Sequence, residues 1–123
     1  MVSRQDLKHG QVAAVAAFDH LAFNHSRLAH STMDDMSLQR EVLGLFLDQL
    51  AKTRAAFKEK PLTPQERKFL GHNLRGSAAA VGAEQIEELA RSWEKVGFDA
   101  GVLDALFEQA EKAFRAEIRA FLP

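Results

Sequence analysis

The chain has 123 residues, 46% of them apolar and 27% charged, with a net charge of −1 and no cysteine. That describes one ordinary soluble domain and excludes disulfides, zinc ribbons and thiol catalysis. Sixteen basic against seventeen acidic residues, with no sustained basic stripe, give poor support to the phosphate neutralisation on which nucleic-acid binding rests, and no nucleic-acid partner is expected.

Three prolines and little strand-like alternation make the pattern helical almost throughout, so the expected class is all-α. The longest apolar run, Val12 to Phe18, is too short to span a bilayer and lacks the basic flank and cleavage site of a signal peptide. A cytoplasmic protein with no membrane partner is expected. Residues 1–33 form an N-terminal helical segment, with one helix over Gln11 to Leu21 and Gly10 and Asp19 interrupting any longer one. Asn24 suits the N-cap of a short turn through Thr32.

The first long helix spans about Asp35 to Lys58, with Leu38, Val42, Leu45, Phe46, Leu50 and Phe57 as its buried stripe and Leu43 and Leu47 widening it. Lys60-Pro61-Leu62 breaks the pattern. Thr63-Pro64-Gln65-Glu66 then starts a second helix, with threonine at the N-cap, proline at N1 and glutamate at N3. It runs to about Ala80, and Gly82 suits the left-handed position that closes it. A third long helix covers about Ala83 to Val96, burying Ile86, Leu89, Ala90 and Trp93, with Gly97 as its stop. Asp99 caps the last, whose stripe is Leu103, Leu106, Ala110, Phe114, Ile118 and Phe121. Short connections pack four such helices most simply as an antiparallel up-down four-helix bundle over residues 35–122, in a single domain spanning 1–123. One bundle per chain predicts a monomer.

The informative stretch is His72-Asn73-Leu74-Arg75-Gly76-Ser77. At about 100° per residue, Leu70, Leu74, Ser77 and Val81 gather on one side and His72 stands roughly opposite. Its own face carries Gln65, Lys68, Phe69, Arg75, Gly76 and Ala79. Lys68 at i−4 and Arg75 at i+3 set a cation one turn away on each side. Gly76 lowers helix propensity by roughly 0.8–1 kcal/mol relative to alanine, and close approach by another molecule is a reason for it. Ala79 and Ala80 extend the low relief, and Phe69 offers an apolar rim for docking or packs on a neighbouring helix.

That pattern describes a nucleophile presented to a large anion. Phosphoryl transfer needs positioning and charge stabilisation more than covalent help. The group is accepted through a neutral ring nitrogen, and Lys68 and Arg75 would screen the new charge, Arg75 by gripping two oxygens. Helix-dipole effects fade within the first turn, and His72 lies nine residues past Thr63. Side chains must therefore carry the electrostatics.

The run from His72 to Ala83 resembles the signature of histidine-containing phosphotransfer (HPt) domains: histidine, aliphatic, basic residue, glycine, small residue, then aliphatic-Gly-Ala at the helix end. The likeness reaches more weakly to Glu41–Phe46 and Leu89–Glu94, and covers roughly residues 20–122; Arg75 stands where lysine is commoner. It implies a bundle that shuttles phosphoryl groups between receiver aspartates, with His72 as carrier, Lys68 and Arg75 flanking it and Gly76 giving access. The implied partners are response-regulator receiver domains and the receiver of a hybrid histidine kinase. Such domains bring no ATP site, cofactor or metal, the magnesium belonging to the receiver.

Three rivals stand beside this reading, and the sequence argues against the first and the third. The dimerisation helix of a sensor histidine kinase has an acidic residue after the histidine and a proline further on; here stand Asn73 and Ala78, with no glycine-rich nucleotide-binding segment. A docking module that regulates a receiver or kinase without carrying phosphate would share the fold. A metal or haem bundle would use His9, His20, His25 and His30, but five-residue steps turn about 140° each time and do not converge.

Overall fold

A computed structural model describes residues 9–122. Its described residues are helical with no strand: a 3₁₀ segment His9–Asp19, then α1 His25–Ser31, α2 Met36–Glu59, α3 Pro64–Val81, α4 Glu84–Lys95 and α5 Ala100–Phe121. None is long and apolar enough to cross a membrane. The part of the N-terminal segment before residue 9 lies outside the described residues.

Start signals act where the residue types place them. The Asn24, Asp35 and Asp99 side chains accept from the amides of Arg27, Leu38 and Val102 and open α1, α2 and α5. Thr63 and Glu66 form a reciprocal capping box on α3. There the backbone hydrogen bond from Thr63 holds the Glu66 carboxyl below its ordinary range, with the Thr63 hydroxyl and Lys60 adding to it. The α3 helix ends on Gly82 at φ +79°, where the backbone is left-handed. A Cβ at Gly82 would also collide with the Asn24 carbonyl. That approach is fixed by the Asn24 amide donating to the Gly82 carbonyl at 2.7 Å.

The expected helix over Gln11–Leu21 is a 3₁₀ helix beginning earlier, at His9, so Gly10 lies within it rather than interrupting it. Three residues per turn bring i and i+3 into register, and Ala14 and Ala17 are the buried pair. This segment packs along α4, while α1 lies on α3. The four long helices touch in a closed cycle, α2 with α3, α3 with α4, α4 with α5 and α5 with α2.

The core is aromatic at both levels. Phe114 meets Phe23 and Phe46 edge-on, each at 5.6 Å. Phe57, Trp93 and Phe107 form a second group with centroids 5.4–6.2 Å apart. Each ring of this size contributes about 1.5–3 kcal/mol by leaving water.

Three stripes sit differently from the sequence expectation, that of α5 only at its end, where Ile118 is half-buried and Phe121 exposed. On α2 the buried residues are Gln39, Leu43, Phe46, Leu50, Thr53 and Phe57, while Leu38 and Leu45 are exposed. The true face follows 43, 46, 50, 53 and 57, and Leu45 lies about 100° off it. On α3 the buried residues are Gly71, Leu74, Ala78 and Val81, with Leu70 and Ser77 only half-buried. Gly71 faces α4, whose Glu94 leaves no room there for a larger side chain.

Candidate functional site

His72 sits mid-α3 with its side chain 65% exposed. Three residues on the α4-facing side of α3 determine what it meets. Arg67, Gly71 and Arg75 recur every four positions and share one stripe. Arg67 donates through one nitrogen to the Trp93 and Glu94 carbonyls, at 2.6 and 2.7 Å, satisfying the last turn of α4. Gly71 leaves room for that turn: a Cβ there would lie 3.1 Å from the Glu94 Cβ and 3.2 Å from its Cα. Trp93, buried against Phe57 and Phe107, holds the turn from inside.

Glu94 is thereby held over α3 with 22% of its side chain exposed. Its Oε2 pairs with Arg75 Nε at 3.3 Å, and its Oε1 lies 3.3 Å from His72 Nδ1. Arg75 also reaches the ring, with Nη2 2.9 Å from the same Nδ1. Both polar contacts of the imidazole are made through Nδ1. Nε2 makes neither.

Lys68 and Arg75 both flank His72, as their spacing requires, but in different states. Lys68 is exposed and forms no hydrogen bond or ion pair among the described residues. Arg75 is bound to Glu94 and the ring. Sequence reasoning missed Glu94, a carboxylate in the stretch Ser92-Trp93-Glu94-Lys95 that nothing local marks out from a solvated charge. Its signal is tertiary: Gly71 one step before His72 marks close approach of another helix.

Gly76 has nothing within 4 Å of where its Cβ would be, so the surface beside His72 is open. Phe69 is 65% exposed, which decides between a free rim and packing on a neighbouring helix in favour of the former. Leu45, 62% exposed on α2, lines a shallow depression with Asp48 and Lys52 against Leu70 and Asn73 of α3. Ala79 is half-buried and lines a second depression walled by Ser26, His30 and Ser31 of α1. There Ser31 Oγ donates to the Ala80 carbonyl at 2.6 Å. The N-terminal histidines are scattered: His25 stacks on Phe121 at 4.8 Å, and the His20 carbonyl accepts from Gln85 Nε2. No cluster of metal-ligating side chains occurs among the described residues.

The described residues thus form an all-helical scaffold that holds an accessible imidazole beside an ammonium without a partner among them and a guanidinium bound to Glu94. A family model of the Hpt domain matches residues 41–122, from α2 to the end of α5. The chain belongs to the histidine-containing phosphotransfer family, and membership implies histidine phosphotransfer in two-component signalling through receiver domains. No curated protein and no solved structure matches the chain.

Proposed function

We propose that this protein is a phosphorelay intermediate, a cytoplasmic monomer built as an antiparallel up-down four-helix bundle with α1 and the 3₁₀ segment alongside. It accepts a phosphoryl group on His72 from the aspartate of one receiver and passes it to another. The observation that carries this reading is the exposed imidazole whose Nδ1 is enclosed by Arg75 and Glu94 while the rest of the ring stays open. Nε2 is the acceptor.

Its lone pair attacks phosphorus in line as the bond to the aspartyl oxygen breaks and the receiver carboxylate leaves. The ring is then a cation, phosphorylated at Nε2 with a proton on Nδ1, and loses that proton to water when it becomes neutral. Lys68, without a partner among the described residues, meets the transferring oxygens, and Arg75 adds donors from the far side. Gly76 leaves room for the receiver, while Phe69, Leu45 and the rim at Ala79 supply apolar contact. These are small, scattered patches, suited to transient recognition.

Mixing the protein with a phosphorylated receiver should transfer acid-labile, base-stable phosphate to it. His72→Gln should remain unlabelled with the same melting temperature. Equal labelling of that variant would refute the assignment, and labelling by ATP alone would make the protein a kinase instead.

A further inference from the structure

Two groups of opposite chemistry compete for one ring nitrogen. Arg75 Nη2 can only donate, so its 2.9 Å contact requires a lone pair on Nδ1. Glu94 Oε1, at 3.3 Å from the same atom, accepts and requires a proton there. A neutral imidazole satisfies one of them at a time. With Arg75 on Nδ1 the ring proton sits on Nε2, and the proposed nucleophile has no free lone pair. With Glu94 on Nδ1 the lone pair is on Nε2 and points outward. The arginine contact lies in the ordinary hydrogen-bond range and the glutamate contact just beyond it, so the heavy-atom distances favour the first arrangement with the second close by.

We propose that Arg75 and Glu94 form a tautomer gate on His72, opened by the phosphoryl anion itself. This rests on the reading of His72 as phosphoryl acceptor. At rest Arg75 holds the ring with its proton on Nε2, sparing the imidazole from adventitious electrophiles. A docked phosphoryl group offers the guanidinium a better acceptor than a neutral nitrogen, because bidentate contact to an anion is the stronger bond. Arg75 then turns from Nδ1 to the phosphoryl oxygens. The Nε2 proton leaves to water, a proton from water arrives on Nδ1 and bonds to Glu94, and Nε2 is bare. No net charge is created on the ring. Glu94 is a positioning residue in this scheme, since it touches the imidazole at the nitrogen that does not react. Arg67 and Gly71 hold the backbone of α4 within reach of that nitrogen.

The test uses the whole chain labelled with ¹⁵N-histidine, at a pH where imidazole is neutral. Long-range proton–nitrogen spectra then report which ring nitrogen carries the proton, and the His72 signals are those that vanish in His72→Gln. The wild type should show chiefly Nε2–H. Arg75→Ala should shift the population toward Nδ1–H, and the double variant Arg75→Ala/Glu94→Ala should lose that shift. Uptake of phosphate from phosphoramidate, a small donor needing no receiver, should fall about 10- to 100-fold in Glu94→Ala, by analogy with the loss of a group that orients a metal-ligating imidazole. It should recover in Glu94→Gln, whose amide oxygen still accepts from Nδ1–H. Identical tautomer populations in the wild type and Arg75→Ala would overturn the gate, as would equal uptake by the wild type and Glu94→Ala. Failure of every receiver to label His72 would instead overturn the phosphorelay reading, which the spectra do not address.

Discussion

Lys68 and Arg75 look equivalent in sequence, each a cation one turn from His72, yet their surroundings separate them. Lys68 is solvated and unpaired among the described residues, so removing it takes charge from the proposed transfer step and nothing from the fold. Lys68→Ala is expected to change stability by less than about 0.5 kcal/mol and slow transfer from a phosphorylated receiver about tenfold. That is milder than the hundredfold or more lost with a donor in a closed site, because water screens this one. Transfer unaltered at low salt would remove Lys68 from the mechanism. Arg75→Ala is a compound change, removing the hydrogen-bond donor proposed for the phosphoryl oxygens, releasing Nδ1 and leaving the Glu94 carboxylate without its cation. Stopped-flow transfer rates for the two variants should therefore differ in form: a rate loss that salt mimics for Lys68, and one that salt does not mimic for Arg75.

Along α3 three glycine positions have three different reasons, and substitution separates them. At Gly76 an alanine would meet nothing, so Gly76→Ala should stabilise the protein by about 0.8–1 kcal/mol in denaturant unfolding. The added methyl would stand beside His72 and should slow transfer while uptake of phosphoramidate stays unchanged. Slowing of both would mean that the ring, and not receiver docking, is disturbed. Gly82→Ala should destabilise by more than the 1–2 kcal/mol of a left-handed alanine, since its Cβ also strikes the Asn24 carbonyl. A variant as stable as the wild type would show that the α3–α4 turn can rebuild. Gly71→Ala pushes on Glu94 through contacts of 3.1–3.3 Å and should loosen the Glu94–His72 pairing before it harms the core. These glycines also show what the amino-acid order makes legible. Gly82 is readable because it follows an apolar-periodic stretch, and His72, Lys68, Arg75 and Gly76 because 3,4 spacing on a single helix fixes their mutual positions. Glu94 is not readable: it lies 22 positions from His72 (94 − 72) on another helix, and only the packing of α3 on α4 brings it to the ring. The same limit explains Leu38 and Leu45. Several overlapping apolar stripes run along α2, and which one is buried depends on where α3 and α5 lie.

The cycle of long helices closes where α5 meets α2, and that seam is electrostatic as well as apolar. Arg54 on α2 donates from Nε to Asp104 at 2.6 Å and from Nη1 to Glu111 at 3.0 Å on α5, and Lys58 approaches Asp104 at 3.4 Å. The Arg54 hydrogen bond, reinforced by its charge and by Lys58, holds the Asp104 carboxyl below its ordinary value near 3.8 despite partial burial. The folded chain therefore binds this proton less tightly than the unfolded chain. Its contribution is complete above the unfolded value and is lost as pH falls through the lower folded one. For so partly buried a pair it is on the order of 1 kcal/mol at neutral pH. Asp104→Asn should accordingly lower the urea midpoint at pH 7 but much less at pH 3, giving a shallower acid limb. Wild type and variant falling in parallel between those pH values would show that the seam contributes nothing through ionisation. The seam lies between α2 and α5, whereas His72, Lys68 and Arg75 stand on α3 and Glu94 on α4. Phosphoryl uptake by Asp104→Asn at neutral pH should thus match the wild type. A loss of uptake with the fold intact would mean that α2 must be held by α5 for Leu45 and Leu70 to present one surface to the receiver, which would make the seam part of the docking apparatus.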